Sequence, residues 1–346
     1  MYRRCAYLVM ATFSSRKLEL SLLAFGLLLG LLCAGGLYLY LNRMHAGRDF
    51  ASLNDLRRTM LESSGPTAAG RNVDLRELLN PHPDDFIIYD LRPNLDVLFQ
   101  DVSVKTNSCG MRERQLPFGK ANDTYRIAVL GDSFAFGWGV DEDKAFPRVL
   151  ERLLNDRSTG QRYEVLNFGV PGYSTFQEVA LFREKALDFN PDAVLVYFVE
   201  NDFGLPFFVR DLNNDDSLMP GNVLARLSWG DTEPRAKAEV RRQNRFNADR
   251  SLQDLAALTQ REGIPVFVAI NPRSRWKEDY SRLQGTRSSP GITLINMWPD
   301  FIRIVESRGY KSEQLTLPTD PHPTALKHSI YAEVLAPYVL SLTVKD

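Results

Sequence analysis

Five short apolar runs, separated by segments of helical periodicity, constrain this chain more than any other feature. The runs are Ile127–Leu130, Val165–Phe168, Ala193–Val199, Ile264–Ile270 and Ile292–Met297. Between them lie Phe146–Leu154, Phe176–Phe189, Ala236–Glu262 and Pro299–Ser307, and a last helix is expected over Thr324–Leu342. Strands that are apolar throughout are buried on both faces, which calls for a parallel sheet covered by helices on each side. Right-handed crossovers then bring the carboxyl ends of the strands to one rim. The expected fold class is therefore α/β, with a central parallel sheet of about five strands.

A second feature lies near the N-terminus. Leu20 to Leu41 contains no charged residue, enough to span a hydrocarbon core of ~30 Å at ~1.5 Å per residue. Arg3, Arg4, Arg16 and Lys17 precede it, and Arg43 and Arg48 follow. This bias reads as a single-pass anchor with a cytoplasmic N-terminus and the remainder periplasmic or extracellular. Tyr38 and Tyr40 would sit at the far interface. A cleaved signal peptide is the rival reading, but cleavable apolar regions span ~7–15 residues and no Ala-rich cleavage site stands out. A lipoprotein reading of Cys33 meets a bulky Leu32 where a small residue is usual. Beyond the anchor Cys109 is the only thiol, so no intrachain disulfide forms there, and no Cys-x-x-Cys or Cys/His metal set occurs. The formal net charge of −1 argues against a nucleic-acid partner. The resulting layout is a cytoplasmic N-terminus (1–19), an anchor (20–41), a juxtamembrane linker (42–71), a β-rich extension (72–123) and an α/β domain (124–346).

Chemistry centres on Gly131-Asp132-Ser133-Phe134, which directly follows the first apolar run. A turn there presents the Ser133 hydroxyl at the carboxyl end of the sheet, where open α/β folds keep their sites. A hydroxyl is a poor nucleophile at neutral pH and needs a base. Four histidines exist. His45 borders the anchor and His82 lies in a Pro-rich loop. His322 lies just before a helix and next to Asp320, an acid able to orient an imidazole and stabilise its charged form. His322 is thus the expected base and Asp320 the orienting acid, whereas His328 reads as a helix-surface or packing residue. Asp320 also suits an N-cap of the final helix.

Four blocks together resemble the SGNH (GDSL-type) hydrolase superfamily, from about residue 124 to the end. They are Gly131-Asp132-Ser133-Phe134, Asn167-Phe168-Gly169-Val170-Pro171-Gly172-Tyr173-Ser174, Asn201-Asp202, and Asp320-Pro321-His322-Pro323. The resemblance implies a flavodoxin-like three-layer sandwich, here preceded by one N-terminal transmembrane helix. It also implies three oxyanion donors: the Ser133 N–H, the Gly172 N–H and the Asn201 side-chain amide. Gly172 matches the family position better than Gly169. Two departures stand out. Many members place the acid three residues before the histidine, where this chain has Thr319; the shorter Asp-x-His spacing resembles alginate-type O-acetyltransferases. Glu200 replaces the glycine common before the asparagine. Asp132 and Asp202 are expected to brace turns. Phe134, Trp138, Tyr173 and Phe203 are packing residues or pocket walls. Asn107–Arg112 resembles an element found upstream of such domains in membrane-anchored bacterial members, and the polar stretch from Gly204 to Pro234 is expected to be a rim loop.

The expected activity is ester hydrolysis through a Ser133 acyl-enzyme, without metal or organic cofactor, acting on an acylated carbohydrate of the cell surface. Two alternatives share the sequence. One is O-acyl transfer to an exported polysaccharide, fed by a membrane acyl-transfer partner. The other is an inactive binding scaffold.

Overall fold

The computed structural model describes residues 23–37, 69–84, 86–204, 247–318 and 320–343. Residues 23–37 form a helix with exposed side chains, within a unit spanning Met1–Asp49. Among the described residues no helix is long and apolar enough to cross a membrane. The ends of the expected anchor, with Tyr38 and Tyr40, lie outside them, as do most of the linker, the loop beyond Gly204, residues 236–246 and Thr319.

The second unit, Phe50–Asp346, begins among the described residues with two antiparallel ribbons. Strand β1 (Leu79–Pro81) pairs with β2 (Tyr89–Leu91), and β3 (Asp96–Phe99) with β4 (Val102–Lys105). The β3–β4 turn is Gln100-Asp101, both at positive φ (51° and 60°), the geometry whose twist matches a two-residue hairpin. Asn107 then makes a turn: its side-chain oxygen accepts the N–H groups of Cys109 (2.9 Å) and Met111 (3.0 Å).

From Thr124 the alternation of strands and helices follows. Strand β5 (Thr124–Gly131) leads into a short helix α1 (Ser133–Phe136) and then α2 (Phe146–Arg157). Strand β6 (Arg162–Asn167) leads to α3 (Thr175–Glu184), and β7 (Ala193–Phe198) to α4 (Ala248–Glu262). After β8 (Val266–Ile270) come α5 (Trp276–Arg282) and α6 (Gln284–Arg287). After β9 (Ile292–Asn296) come α7 (Trp298–Ser307), α8 (Ser312–Leu315) and α9 (Ala325–Thr343).

The five strands β5 to β9 form one parallel sheet in the order β6-β5-β7-β8-β9, the flavodoxin-like winding. Successive residues of each strand serve opposite cores. On β7, Val194, Val196 and Phe198 join one cluster with Phe176 and Leu181 of α3, Leu252 and Leu255 of α4, and the extension. Leu195 and Tyr197 join the other with Phe146 and Leu150 of α2, Phe301 of α7 and Tyr331 of α9. This two-sided burial is why the runs carry no polar alternation. Strand order reverses between β5 and β7, so their carboxyl ends flank the crevice where such folds bind ligands.

Two expected elements are corrected. The segment Ala236–Glu262 is interrupted at Asn247, whose extended backbone (φ −86°, ψ 115°) caps α4 at Ala248. Phe176–Phe189 is not one helix: α3 stops at Glu184, Lys185 leaves helical geometry (φ −135°, ψ −51°), and a 3₁₀ turn covers Ala186–Phe189. At the break the Lys185 ammonium bonds the Cys109 carbonyl (2.8 Å) and pairs with Asp90, so extension contacts compete with helix continuation.

Candidate active site

Ser133 opens α1 directly beyond the end of β5. Asp132 caps this turn, its Oδ1 accepting the Phe134 N–H at 2.9 Å. The nucleophile turn is packed tightly against the second block. A Cβ on Gly169 would lie 2.4 Å from the Phe136 nitrogen and 2.7 Å from the Ala135 carbonyl carbon, so only glycine fits. Asn167 ties the two together: its amide donates to the Ala135 carbonyl (2.9 Å) and its oxygen accepts the Gly169 N–H (2.9 Å).

The loop between α8 and α9 brings His322 to this turn. Its Nε2 lies 2.8 Å from Ser133 Oγ, while Nδ1 bonds Asp320 Oδ1. That same carboxylate oxygen accepts the His322 backbone N–H at 3.0 Å, which locks the short Asp-x-His spacing into a closed turn. Asp320 therefore orients the ring from two residues away. Its second oxygen accepts the Trp138 indole N–H at 3.1 Å. The Trp138 ring stacks on the imidazole, with centroids 4.6 Å apart and planes 11° apart. Partial burial raises the Asp320 pKa, but the hydrogen bonds from the His322 ring, its N–H and Trp138 outweigh it and hold the carboxyl below its ordinary value. His322 and Asp320 side chains remain 17 % and 23 % exposed, enough for water and substrate to reach them.

Asn201 sits in a 3₁₀ turn (Glu200–Phe203) after β7. Its amide nitrogen donates to Asp132 Oδ2 at 2.8 Å, which ties it to the nucleophile turn and leaves a second N–H. Asp202 braces the turn by accepting the Val199 N–H at 2.7 Å. Burial raises the Asp132 pKa, opposed by the bonds from Asn201 and Phe134. Glu200 is half-exposed and pairs with Arg273 Nη1 at 3.5 Å.

The two glycines of the second block differ in one decisive respect. The Gly169 N–H is spent on Asn167. Gly172 has φ +79°, a left-handed conformation suited to glycine. Neither its N–H nor that of Ser133 is used by a turn, loop or cap hydrogen bond among the described residues. All five residues expected from sequence, Ser133, Gly172, Asn201, Asp320 and His322, thus lie on the turns around the carboxyl ends of β5, β6 and β7 or reach them by hydrogen bonds.

Sequence reasoning left three partners unassigned. Trp138 was expected as packing or a pocket wall, yet it bonds the acid and covers the base. Asp132 was expected to brace only its own turn, yet it also orients Asn201. Tyr89 donates its hydroxyl to the Gly172 carbonyl at 2.8 Å. The flanking glycines of Gly137-Trp138-Gly139 were the signal available for Trp138; Tyr89 carries none. His328 is fully buried, as a packing residue, with Nδ1 accepting the Phe146 N–H at 3.2 Å.

The GDSL-like Lipase/Acylhydrolase family model matches residues 129–325. No curated protein matches the sequence. Among solved structures, TesA is 19 % identical, with 63 % of this chain and 99 % of that chain covered and a TM-score of 0.42. The acetyl xylan esterase AlAXEase is 15 % identical over 62 % of this chain and 99 % of that chain, TM-score 0.42. A two-domain esterase (CEX) active on acetylated mannans is 16 % identical over 64 % of this chain and 50 % of that chain, TM-score 0.42.

Proposed function

Because this chain belongs to the GDSL-like lipase/acylhydrolase family and is a serine esterase of the SGNH type, we propose that Ser133 attacks an ester carbonyl and carries the acyl group. The carrying observation is the 2.8 Å contact between His322 Nε2 and Ser133 Oγ, with Asp320 on the other ring nitrogen. His322 takes the serine proton as the C–O bond forms. The Ser133 and Gly172 N–H groups and the Asn201 amide donate to the tetrahedral oxyanion; losing one such donor typically costs roughly 2.7–4 kcal/mol. The imidazolium, held by Asp320, then protonates the leaving alcohol. A water, deprotonated by the same ring, releases the acid and regenerates Ser133.

The substrate we propose is an O-acyl ester, such as an acetyl ester, on a cell-surface carbohydrate. Support comes from the charge-free Leu20–Leu41 stretch and its basic flanks, which favour an inner-membrane anchor and an exported domain. Labelling of the full chain with a fluorophosphonate tests the nucleophile: wild type forms an adduct and Ser133→Ala does not. An unlabelled wild type, beside a reactive control, leaves the scaffold reading. Incubation with an activated acetyl ester and a glycan separates the outcomes: free acetate marks hydrolysis, and acylated glycan marks O-acyl transfer. Immunolocalisation of a C-terminal tag on the cytoplasmic side would overturn the exported placement.

A further inference from the structure

The extension upstream of the matched residues reaches both halves of the site. From β2, the Tyr89 hydroxyl holds the Gly172 carbonyl at 2.8 Å. Its ring meets Tyr173 edge-on at 5.3 Å, and the Tyr173 hydroxyl bonds back to the Tyr89 carbonyl. Gln177, in the first turn of α3, adds a bond to the Ile87 carbonyl at 2.7 Å. A turn whose N–H must stay available for an oxyanion cannot be fixed through that N–H. Here it is fixed through its carbonyl.

The second grip comes from the Asn107–Arg112 turn. Arg112 is 1 % exposed, and its guanidinium serves carbonyls almost exclusively. Nη1 donates to Phe136 (3.2 Å) and Gly137 (2.6 Å), and Nη2 to Val140 (2.8 Å) and Ser103 (3.1 Å). The first two carbonyls belong to the last residue of α1 and its C-cap, groups that a helix end leaves without intrahelical partners. Trp138 lies between the carbonyls that Arg112 holds, and it is Trp138 that bonds Asp320 and covers His322.

We infer that the extension is a positioning clamp for catalysis: Tyr89 sets the Gly172 turn, and Arg112 sets the turn that carries Trp138 onto Asp320 and His322. The inference rests on the esterase reading. Both residues act through others and neither touches the reacting atoms.

The test compares full-length wild type, Tyr89→Phe and Arg112→Lys with an activated acetyl ester across pH. Tyr89→Phe removes one hydroxyl and keeps the ring. It is expected to lower kcat about 10-fold, with KM within about 2-fold and the acid limb of the pH profile unmoved, because small misplacements of reacting groups are costly. Arg112→Lys keeps the charge but not the fork. It is expected to lower kcat by a similar factor and move the acid limb to higher pH, since a loosened Trp138 N–H leaves more of the Asp320 charge to the imidazolium. Variants with wild-type kcat and acid limb, changed only in melting temperature, overturn the clamp and leave a structural cover. Should Arg112→Lys fail to fold, wild-type kcat in Tyr89→Phe has the same force. An inert wild type overturns the esterase reading and the clamp together, whereas an active wild type with unaffected variants overturns the clamp alone.

Discussion

His322 and His328 are close neighbours in the chain, and their surroundings separate them completely. His322 is held at both ring nitrogens by polar partners, on a loop that water reaches. His328 is sealed inside α9 against Phe146, and its Nε2 has no partner among the described residues. Burial, with the Arg112 and Lys327 charges, lowers its pKa to about 3, so it stays neutral where His322 must cycle. The carboxylates split in the same way. Asp320 is half-buried, fully partnered and kept ionised. Glu178 is buried on α3 with neither oxygen bonded among the described residues, and burial together with Asp202 and Asp132 pushes its pKa well above the usual range. A residue type becomes chemically useful here only where solvent access and a partner coincide.

The largest effect should separate the two histidines. Ser133→Ala and His322→Ala are each expected to lower kcat on the order of 10⁶-fold, with the double variant no worse, because groups acting as a unit are non-additive. His328→Gln should leave kcat within about 3-fold while costing roughly 1–3 kcal/mol in urea unfolding, through its buried bond to Phe146. A strong loss of kcat at unchanged stability would break the contrast. Asp320→Asn comes next, at roughly 10²–10⁴-fold in kcat, since an amide facing Nδ1 favours the wrong tautomer. Trp138→Phe keeps the stack and loses one hydrogen bond, so about a 10-fold loss is expected in steady-state assays.

In stability against pH, His328 and Glu178 run in opposite directions. His328 binds a proton more readily unfolded (about 6.5) than folded (about 3). Its contribution is complete above about pH 6.5 and is lost at up to ~1.4 kcal/mol per unit as pH falls toward 3. Glu178 is the mirror case. Its folded form holds the proton more tightly, so its contribution is complete below about pH 4.5 and is lost as pH rises. Glu178→Gln should flatten a melting-temperature profile above about pH 4.5 and leave it unchanged below. An unaltered slope above about pH 4.5 would show that the carboxyl is ionised in the fold.

Much of this was legible beforehand, for identifiable reasons. Strands buried on both faces must be apolar throughout, so β5 to β9 announced themselves within a few residues of their ends. The Asp320-Pro321-His322 turn could be read because a local hydrogen bond closes it. The break at Lys185 could not, because its cause is an ammonium drawn to Asp90 and Cys109 in a distant segment.

The order of strands and helices, the nucleophile turn and the pairing of Asp320 with His322 followed from periodicity and short-range chemistry, which adjacent residues carry. That the Gly169 N–H is spent while that of Gly172 is not, the recruitment of Trp138 and the grips of Tyr89 and Arg112 were decided by folding alone. Each depends on which N–H is already spent and which carbonyl lies within reach, and those distances exist only once far-separated segments have packed together.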